Sequence, residues 1–488
     1  KWYKSEKIRV GKTDFKHYIL YHISSSISII IDEACITMSL ATIEADLNIT
    51  AIETQWIMTI FYLATTMAAI PFANLGKRLG IPITLFTLHV LCAVSYLVGF
   101  FFQNLGMLLS TRFLNGMLSS GCIAIRNNVI AIYPDKADKQ FIKKCQILAA
   151  ATQLFAPMLT MLLIAKTHWN YAFLLIGSLH LLSAVLIIPF ENPPKDKVKF
   201  DLLGSILIGV SSSCICLTLT FLGQLNLWAF GGCLVGSVIG LIAFYFAEKH
   251  HENAVLPLEI FKNPLSDIFW LNLINYSGNI SFMYIIPQVL LHNGLSQIEL
   301  GLVPTGAAVI GIIGAITVMY VSSKVINRYV LTVSYSLITV FLILTGLILN
   351  QKTWTILLMS VFFIFSMVSA SNMTYPMLIH SVPPQFSQKV SGLPTMSRTL
   401  GNSISLCLLS CVQYLVNQYV DNFYFGFQCA MWMISLLFVV AIFITSYRLG
   451  NAEYEKNKKG FKISDIKQIK IGGENHEEQL LKEIREEM

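Results

Sequence analysis

The chain has 488 residues, of which 55% are hydrophobic and only 12% charged, with a net charge of +7. Soluble globular proteins carry about 25% charged residues, so the composition excludes a water-soluble domain and points to a polytopic membrane protein. The positive charge sits in short polar segments and tails, not in one patch, which argues against a nucleic-acid partner.

Residues 1–16 are polar and basic and are expected to form a cytoplasmic N-terminal segment that runs directly into the first apolar stretch, with no cleavable leader. Fourteen candidate spans follow: 17–41, 54–73, 83–102, 106–132, 146–165, 171–190, 202–222, 228–247, 267–291, 299–322, 329–349, 354–380, 391–415 and 426–447. Each is long enough to cross about 30 Å of hydrocarbon. With the N-terminus in the cytoplasm, 29 of the 34 Lys and Arg fall on the inner side. Lys166 and Lys352 fall outside, and Arg112, Arg126 and Arg398 lie within spans. That bias is what the positive-inside rule requires. It predicts a multi-pass cell (inner or plasma) membrane protein with both termini cytoplasmic.

The stretch "ENPPKDKVKFD", 191–201, is the most polar internal linker and divides the chain. "ANLGKRLG" between spans 2 and 3 has a loose echo in "SSKVINR" between spans 10 and 11. The expected organisation is an N-terminal six-helix bundle (17–190), the linker, two inserted helices (202–247), a cytoplasmic loop (248–266) and a C-terminal six-helix bundle (267–447). A soluble tail occupies 448–488, within which "ENHEEQLLKEIREEM" reads as a solvated tail or a short surface helix. The ten cysteines lie almost wholly in apolar segments without a C-x-x-C pair, and read as packing residues. No metal cluster, nucleophile–base constellation or phosphate loop is evident, so an enzyme is not expected.

The first span, "SIIIDEACITMSL", places Asp32 and Glu33 in an apolar run, where a charge at the membrane centre costs about 2.5–3.5 kcal/mol on insertion scales. Adjacent helical positions point about 100° apart. Asp32 shares its stripe with Ser25, Ser28, Cys35 and Ser39, and is expected to face an aqueous cavity. Glu33 lies among Ile29, Ile30, Ile36, Thr37 and Leu40, and is expected to face a neighbouring helix. Arg112 lies at comparable depth in span 4, and a pair with Asp32 is feasible. Such a pair would serve either as a structural tie or as a proton-coupling device, because an Arg that approaches and leaves a carboxylate changes its proton affinity. Arg126, deeper in span 4, would snorkel or meet an anionic substrate. His89 and His180 would make isolated polar contacts or relay protons. Trp56, Tyr62, Asn275, Tyr276, Asn279, Tyr284, Asn372 and Tyr375 are candidates either for cavity walls holding a small organic substrate or for ordinary helix packing.

Several motifs in order resemble the 14-span drug:proton antiporter family of the major facilitator superfamily. In span 1, Asp32, Leu40 and Ile43 match that family's opening motif, with Ala34, Thr37 and Ala41 in place of its Thr, Asn and Pro. In span 2 the matches are Gln55, Trp56, Thr59, Tyr62, Leu63 and Pro71. Arg112, Asn115 and Gly116 resemble its Arg-x-x-Gln-Gly element, "HWNYAFLLIG" its entry to span 6 with Asn170 replacing an Arg, and "SGLPTMSRTLGNS" its span-13 start, where Arg398 reads as structural. The resemblance implies an all-α transporter rocking two bundles around a midplane site. It implies proton-coupled multidrug efflux with the proton gradient as driving force and no cofactor. It further implies a monomer in the lipid bilayer and, in a double-membrane bacterium, a periplasmic adaptor as partner.

Two departures stand out. Between spans 2 and 3 the family places an Asp and arginines that latch one state; here Lys77 replaces the Asp, Ile81 and Pro82 replace arginines, and Arg78 and Gly80 remain. A Lys cannot accept the hydrogen bonds an Asp accepts. In the span-5 antiport element, Gly-x-x-x-Gly-Pro-x-x-Gly-Gly, only Pro157 survives, while Thr152, Ala156, Thr160 and Met161 replace its four glycines. These changes keep open a metabolite or siderophore transporter working as importer or uniporter, and a transport-inactive sensor.

Overall fold

The computed structural model describes residues 12–132, 156, 158–189, 201–250, 264–322, 325, 327–380, 393–420 and 422–449. Among them the chain is all-α, with fourteen helical segments. They are α1 (Lys12–Leu47), α2 (Ala51–Leu79), α3 (Ile81–Phe101), α4 (Leu105–Ile132), α5 (158–166), α6 (Tyr171–Ile187), α7 (Leu202–Gly223), α8 (Leu227–His250), α9 (Pro264–His292), α10 (Gln297–Ser322), α11 (Asn327–Ile348), α12 (Thr353–His380), α13 (Leu393–Asn417) and α14 (Phe423–Phe443). A π-helical turn, Ile444–Arg448, ends the last helix. Eight helices are long and apolar enough to cross a membrane by length and composition. Helices satisfy their own backbone groups, as hydrocarbon requires.

Local sequence explains the ends. Thr50 and Glu53 form a reciprocal capping box at the start of α2: Glu53 Oε2 accepts from the Thr50 backbone and hydroxyl, both at 2.8 Å, and Thr50 Oγ1 accepts from the Glu53 amide at 3.3 Å. Ser296 and Glu299 build the same box at the start of α10, at 2.9, 2.7 and 3.3 Å. Asp201 caps α7 through the Gly204 amide at 2.8 Å, and Asn422 caps α14.

The stretch "ANLGKRLG", expected as a loop, is instead the last turns of α2. Nothing in it breaks a helix before Gly80, whose φ of 111° turns the chain. Pro82 then falls in the first turn of α3, where a missing N–H is harmless. Helix α1 also overruns its expected span at both ends. The linker 191–200, the loop 251–263 and the tail from 450 lie outside the described residues.

Packing follows the small residues. Helix α2 lies against α4, where a Cβ on Gly116 would sit 2.3 Å from the Phe61 carbonyl oxygen. Helix α3 packs on α4 and α6, and α1 on α6 and α2. Helix α9 packs on α12, α13 and α14; α10 and α11 pack on α12; and α11 also packs on α14. Between these sets, α13 runs along α2 and α7. Helix α8 rests mainly on α7 and leaves Leu227, Trp228, Val235, Ile239 and Phe246 exposed, as a lipid-facing helix would.

Candidate functional site

Helix α1 carries the centre of the site: Asp32, expected to face an aqueous cavity, is buried, whereas Glu33 meets a neighbouring helix, α13, as expected, and still keeps partial exposure. Ile27, Ile30, Glu33, Ala34 and Thr37 recur at helical spacing and keep partial exposure, whereas Ser25, Ser28, Asp32, Cys35 and Ser39 are buried. The hydroxyl stripe does not need water. Ser28 and Ser39 donate to the carbonyls of Ser24 and Cys35 one turn back, at 2.9 and 2.5 Å. Ser24 and Ser28 share Ser183 of α6 at 2.8 and 3.3 Å, and Cys35 meets Thr160 of α5 at 2.9 Å.

Asp32 pairs with Arg112 of α4, as the matched depths allow. Arg112 Nη1 donates to Asp32 Oδ1 at 2.6 Å, and the two side chains are 1% and 0% exposed. The guanidinium also lies 4.1 Å from the centroid of the Phe61 ring. Asp32 Oδ2, Arg112 Nε and Nη2, Thr59 Oγ1 and both amide atoms of Asn115 have no hydrogen-bond partner among the described residues. The pair is therefore dry yet under-satisfied, with capacity to bind water or exchange a proton.

One residue along, Glu33 pairs with Arg398 of α13. Arg398 Nη2 donates to both carboxylate oxygens, and the side chains are 23% (Glu33) and 27% (Arg398) exposed. Arg398 in turn lies over the Tyr276 ring at 5.2 Å. Two further bonds join α2 to α13: Gln55 donates to the Leu406 carbonyl, and the hydroxyls of Thr66 and Thr399 meet at 2.8 Å. Arg398, read from sequence as structural, thus holds the more accessible carboxylate. The available signal was only that Arg398 is one of the three arginines within the expected spans.

The other sequence candidates separate. Tyr62 is buried next to both ion pairs. Tyr276 and Asn279 are partly exposed on α9. Asn275 is buried and donates to Ser371 of α12 at 2.5 Å. Trp56 packs against Leu63, Cys216 and Cys407 at the junction of α2, α7 and α13, so packing explains it. Tyr284 is buried beside Gln288, and the exposed Asn372 donates to its own helix at Val368, 2.9 Å away. Arg126 is half-buried and donates to Ser25 at 3.4 Å. Arg78 is exposed, and Gly80 makes the turn; the side chains of Lys77 and Tyr375 lie outside the described residues. The nine cysteines among the described residues are unbridged, and no group of three His, Cys, Asp or Glu there suits a metal ion.

Residues 23–406 match the profile of the Major Facilitator Superfamily. Over 454 residues the chain is 22% identical to the uncharacterized transporter YebQ of Escherichia coli (strain K12), covering 86% of this chain and 92% of that protein. It is 23% identical over 451 residues to the uridine/deoxyuridine transporter of Lactococcus lactis subsp. cremoris (strain MG1363), covering 87% and 92%. The solved structure of the POT family transporter PepTSo shares the fold with a TM-score of 0.67 at 14% identity, over 90% of this chain and 98% of that one. The profile runs from within α1 to within α13 and takes in both ion pairs, so the chain belongs to the Major Facilitator Superfamily and is a membrane transporter, not an enzyme.

Proposed function

We propose that the protein moves a small organic molecule by proton-coupled alternating access, with Asp32 as the proton-carrying carboxylate and Arg112 as its switching partner. The observation that carries this reading is the division of two neighbouring acids between two helix sets. Asp32 is tied to α4 and Glu33 to α13, so relative movement of the two sets strains one pair while sparing the other. An Arg that withdraws from a dry carboxylate lets it take a proton, and one that returns expels it. Opening the cavity is thereby linked to proton binding.

In this reading α1–α6 and α9–α14 are two six-helix bundles, α7 and α8 are inserted between them, all fourteen helices span the cell membrane, and both termini are cytoplasmic. The paired capping boxes of α2 and α10 support the repeat. The asymmetric distribution of Lys and Arg supports the orientation. The substrate contacts are Glu33, Arg398, Tyr62, Tyr276 and Asn279, a charged pair among aromatic and amide groups. This chemistry suits a planar, polar or weakly charged organic molecule, and uridine, moved by one relative, belongs to that class. Efflux is the leading direction by resemblance to the drug antiporters. Import or uniport of a metabolite is the second reading, favoured by Lys77 in place of the latch Asp and by the replaced glycines of span 5.

Proteoliposomes with a trapped pH indicator test the proposal, with uridine and the cationic dye ethidium as separate probes. Coupled transport gives substrate-dependent proton movement. Probe flux that neither moves protons nor responds to a pH gradient would leave the uniport reading in its place.

A further inference from the structure

Between α1, α3 and α6 lies a second polar cluster that the transport reading does not use. His89 of α3 and His180 of α6 are both fully buried, and their Nδ1 atoms meet at 2.9 Å with ring centroids 5.1 Å apart. The Tyr21 hydroxyl of α1 lies 3.2 Å from His89 Nε2. Tyr96 stacks on His180, centroids 5.6 Å apart and planes 18° from parallel, and lies within electrostatic range of Asp32, its hydroxyl making no hydrogen bond among the described residues. From α4 the Cys122 thiol abuts His89 and Cys92, with Arg126 close by, and His22 of α1 faces that same Arg126. Arg112 stands beyond Tyr96, paired to Asp32. These are the titratable and charged groups around the pair, and they do not form a metal site.

The contact fixes the proton count. Two imidazole nitrogens 2.9 Å apart hold one hydrogen between them, because one must donate and the other accept. A second hydrogen there would set two N–H groups against each other. Tyr21 can donate to or accept from His89 Nε2, so that end is satisfied in either tautomer. His180 Nε2 has no hydrogen-bond partner among the described residues. Each neutral ring carries one hydrogen, so the bare outer nitrogen is His89 Nε2 when His89 donates across the contact and His180 Nε2 when His180 donates, and the pair can gain one proton there without breaking its contact.

We propose that His89 and His180 form a second proton-binding site of the transporter, taking one proton at whichever outer Nε2 is bare in the neutral pair and linked to Asp32 by charge. The link is electrostatic. A proton on the pair is favoured while Asp32 is ionised and disfavoured once Asp32 is neutral with Arg112 still charged. The proposal draws on the reading of Asp32 as the coupling group only for the purpose of the link. The site itself is detected without any substrate, so failure of substrate flux and failure of this site are separately visible.

The test is nitrogen-15 histidine NMR on the full chain in lipid nanodiscs, titrated between about pH 8 and 5. Signals are assigned with His89→Gln and His180→Gln, and folding is checked by thermal unfolding at each pH. In wild type, one nitrogen of the four passes from bare to protonated while the shared Nδ1 hydrogen persists. In Asp32→Asn the same transition moves to lower pH by at least about 0.5 unit, roughly threefold in proton affinity. If Asp32→Asn does not fold, Asp32→Ser, which removes the same charge with a smaller side chain, serves instead, with the same displacement to lower pH expected. Four unchanged nitrogens in folded protein would show a merely structural pair and overturn the proposal. A transition unmoved in these variants would overturn the link.

Discussion

Helices α1–α6 and α9–α14 solve the same packing problem with different chemistry. Where α1 meets α4, a buried ion pair joins Asp32 to Arg112. Where α9 meets α12, neutral groups do the work: Asn275 donates to Ser371, and Thr374 meets Asn272 at 3.4 Å. The helix ends match in form as well. The Trp169 indole before α6 donates to Asp46 at 2.9 Å, and the Tyr424 hydroxyl of α14 donates to Asn293 at 2.7 Å. An acid in the first set again stands where an amide stands in the second. Among the described residues, the buried Asp32–Arg112 pair and the buried histidine pair belong to α1–α6, while the helices from α9 onward contribute Arg398, the buried Asp267 held by exposed Arg448, and a seam of hydroxyls and amides. Under the proposed function the difference is a division of labour, with proton chemistry assigned to the first helix set and mostly neutral polar recognition to the second.

The largest expected effect breaks that contrast at its centre. Arg112→Leu leaves Asp32 buried without a partner and is expected to cost about 3–5 kcal/mol of stability. Asn275→Ala, at the corresponding neutral contact, is expected to cost about 1 kcal/mol. Thermal and denaturant unfolding in the same detergent compares them. Equal losses would mean that the two contacts are energetically alike and the charge incidental.

Next comes the bond between the sets. Glu33 and Arg398 are each about a quarter exposed, so Glu33→Gln is expected to change stability by less than about 1 kcal/mol. It should nevertheless raise the reactivity of a cysteine placed beside Arg398, because the tie between α1 and α13 is gone. Unchanged reactivity with unchanged stability would show that Gln55 and Thr66 hold the sets together without it.

Lys77→Asp, near the C-terminal end of α2, restores an acceptor beside Arg78 and, in the proposed orientation, should favour the outward-open state. Reduced labelling of a cysteine in the cytoplasmic vestibule would report it, and unchanged labelling would mean that another group supplies the latch.

The smallest effect concerns the paired caps. Hydrogen bonds from the Thr50 backbone and hydroxyl hold the Glu53 carboxylate below its usual range. A lowered folded-state value makes this contribution present above the ordinary carboxylate range and lost as pH falls through the lowered one. Thr50→Ala and Ser296→Ala should each reduce stability slightly at neutral pH, with the deficit of Thr50→Ala shrinking in acid. A deficit independent of pH would remove the carboxylate from the explanation.

Apolar length and charge bias made the helical architecture legible, because hydrocarbon leaves a spanning segment little alternative to a helix. The pairing of Asp32 with Arg112 was legible from depth. The facing of α1 was not. Its serine stripe looked wet, but a hydroxyl can spend its polarity on a carbonyl one turn back, as Ser28 and Ser39 do. The stripe that keeps access is mostly isoleucine and alanine around Glu33, and apolar residues line cavities and cores alike. Likewise no spacing rule could bring His89 to His180, which are 91 positions apart and meet only when α3 lies on α6.

The most direct measurement is transport in proteoliposomes containing Asp32→Asn, which keeps the side chain's size but cannot carry a proton. Whichever probe the wild type moves, uridine or ethidium, is followed both under an imposed pH gradient and in exchange without one. The expected result is folded protein that retains exchange while gradient-driven flux falls by at least about tenfold, with Glu33→Gln still coupled. Gradient-driven flux at the wild-type rate in folded Asp32→Asn would contradict the assignment, and loss in Glu33→Gln alone would move the coupling role to the carboxylate held by Arg398.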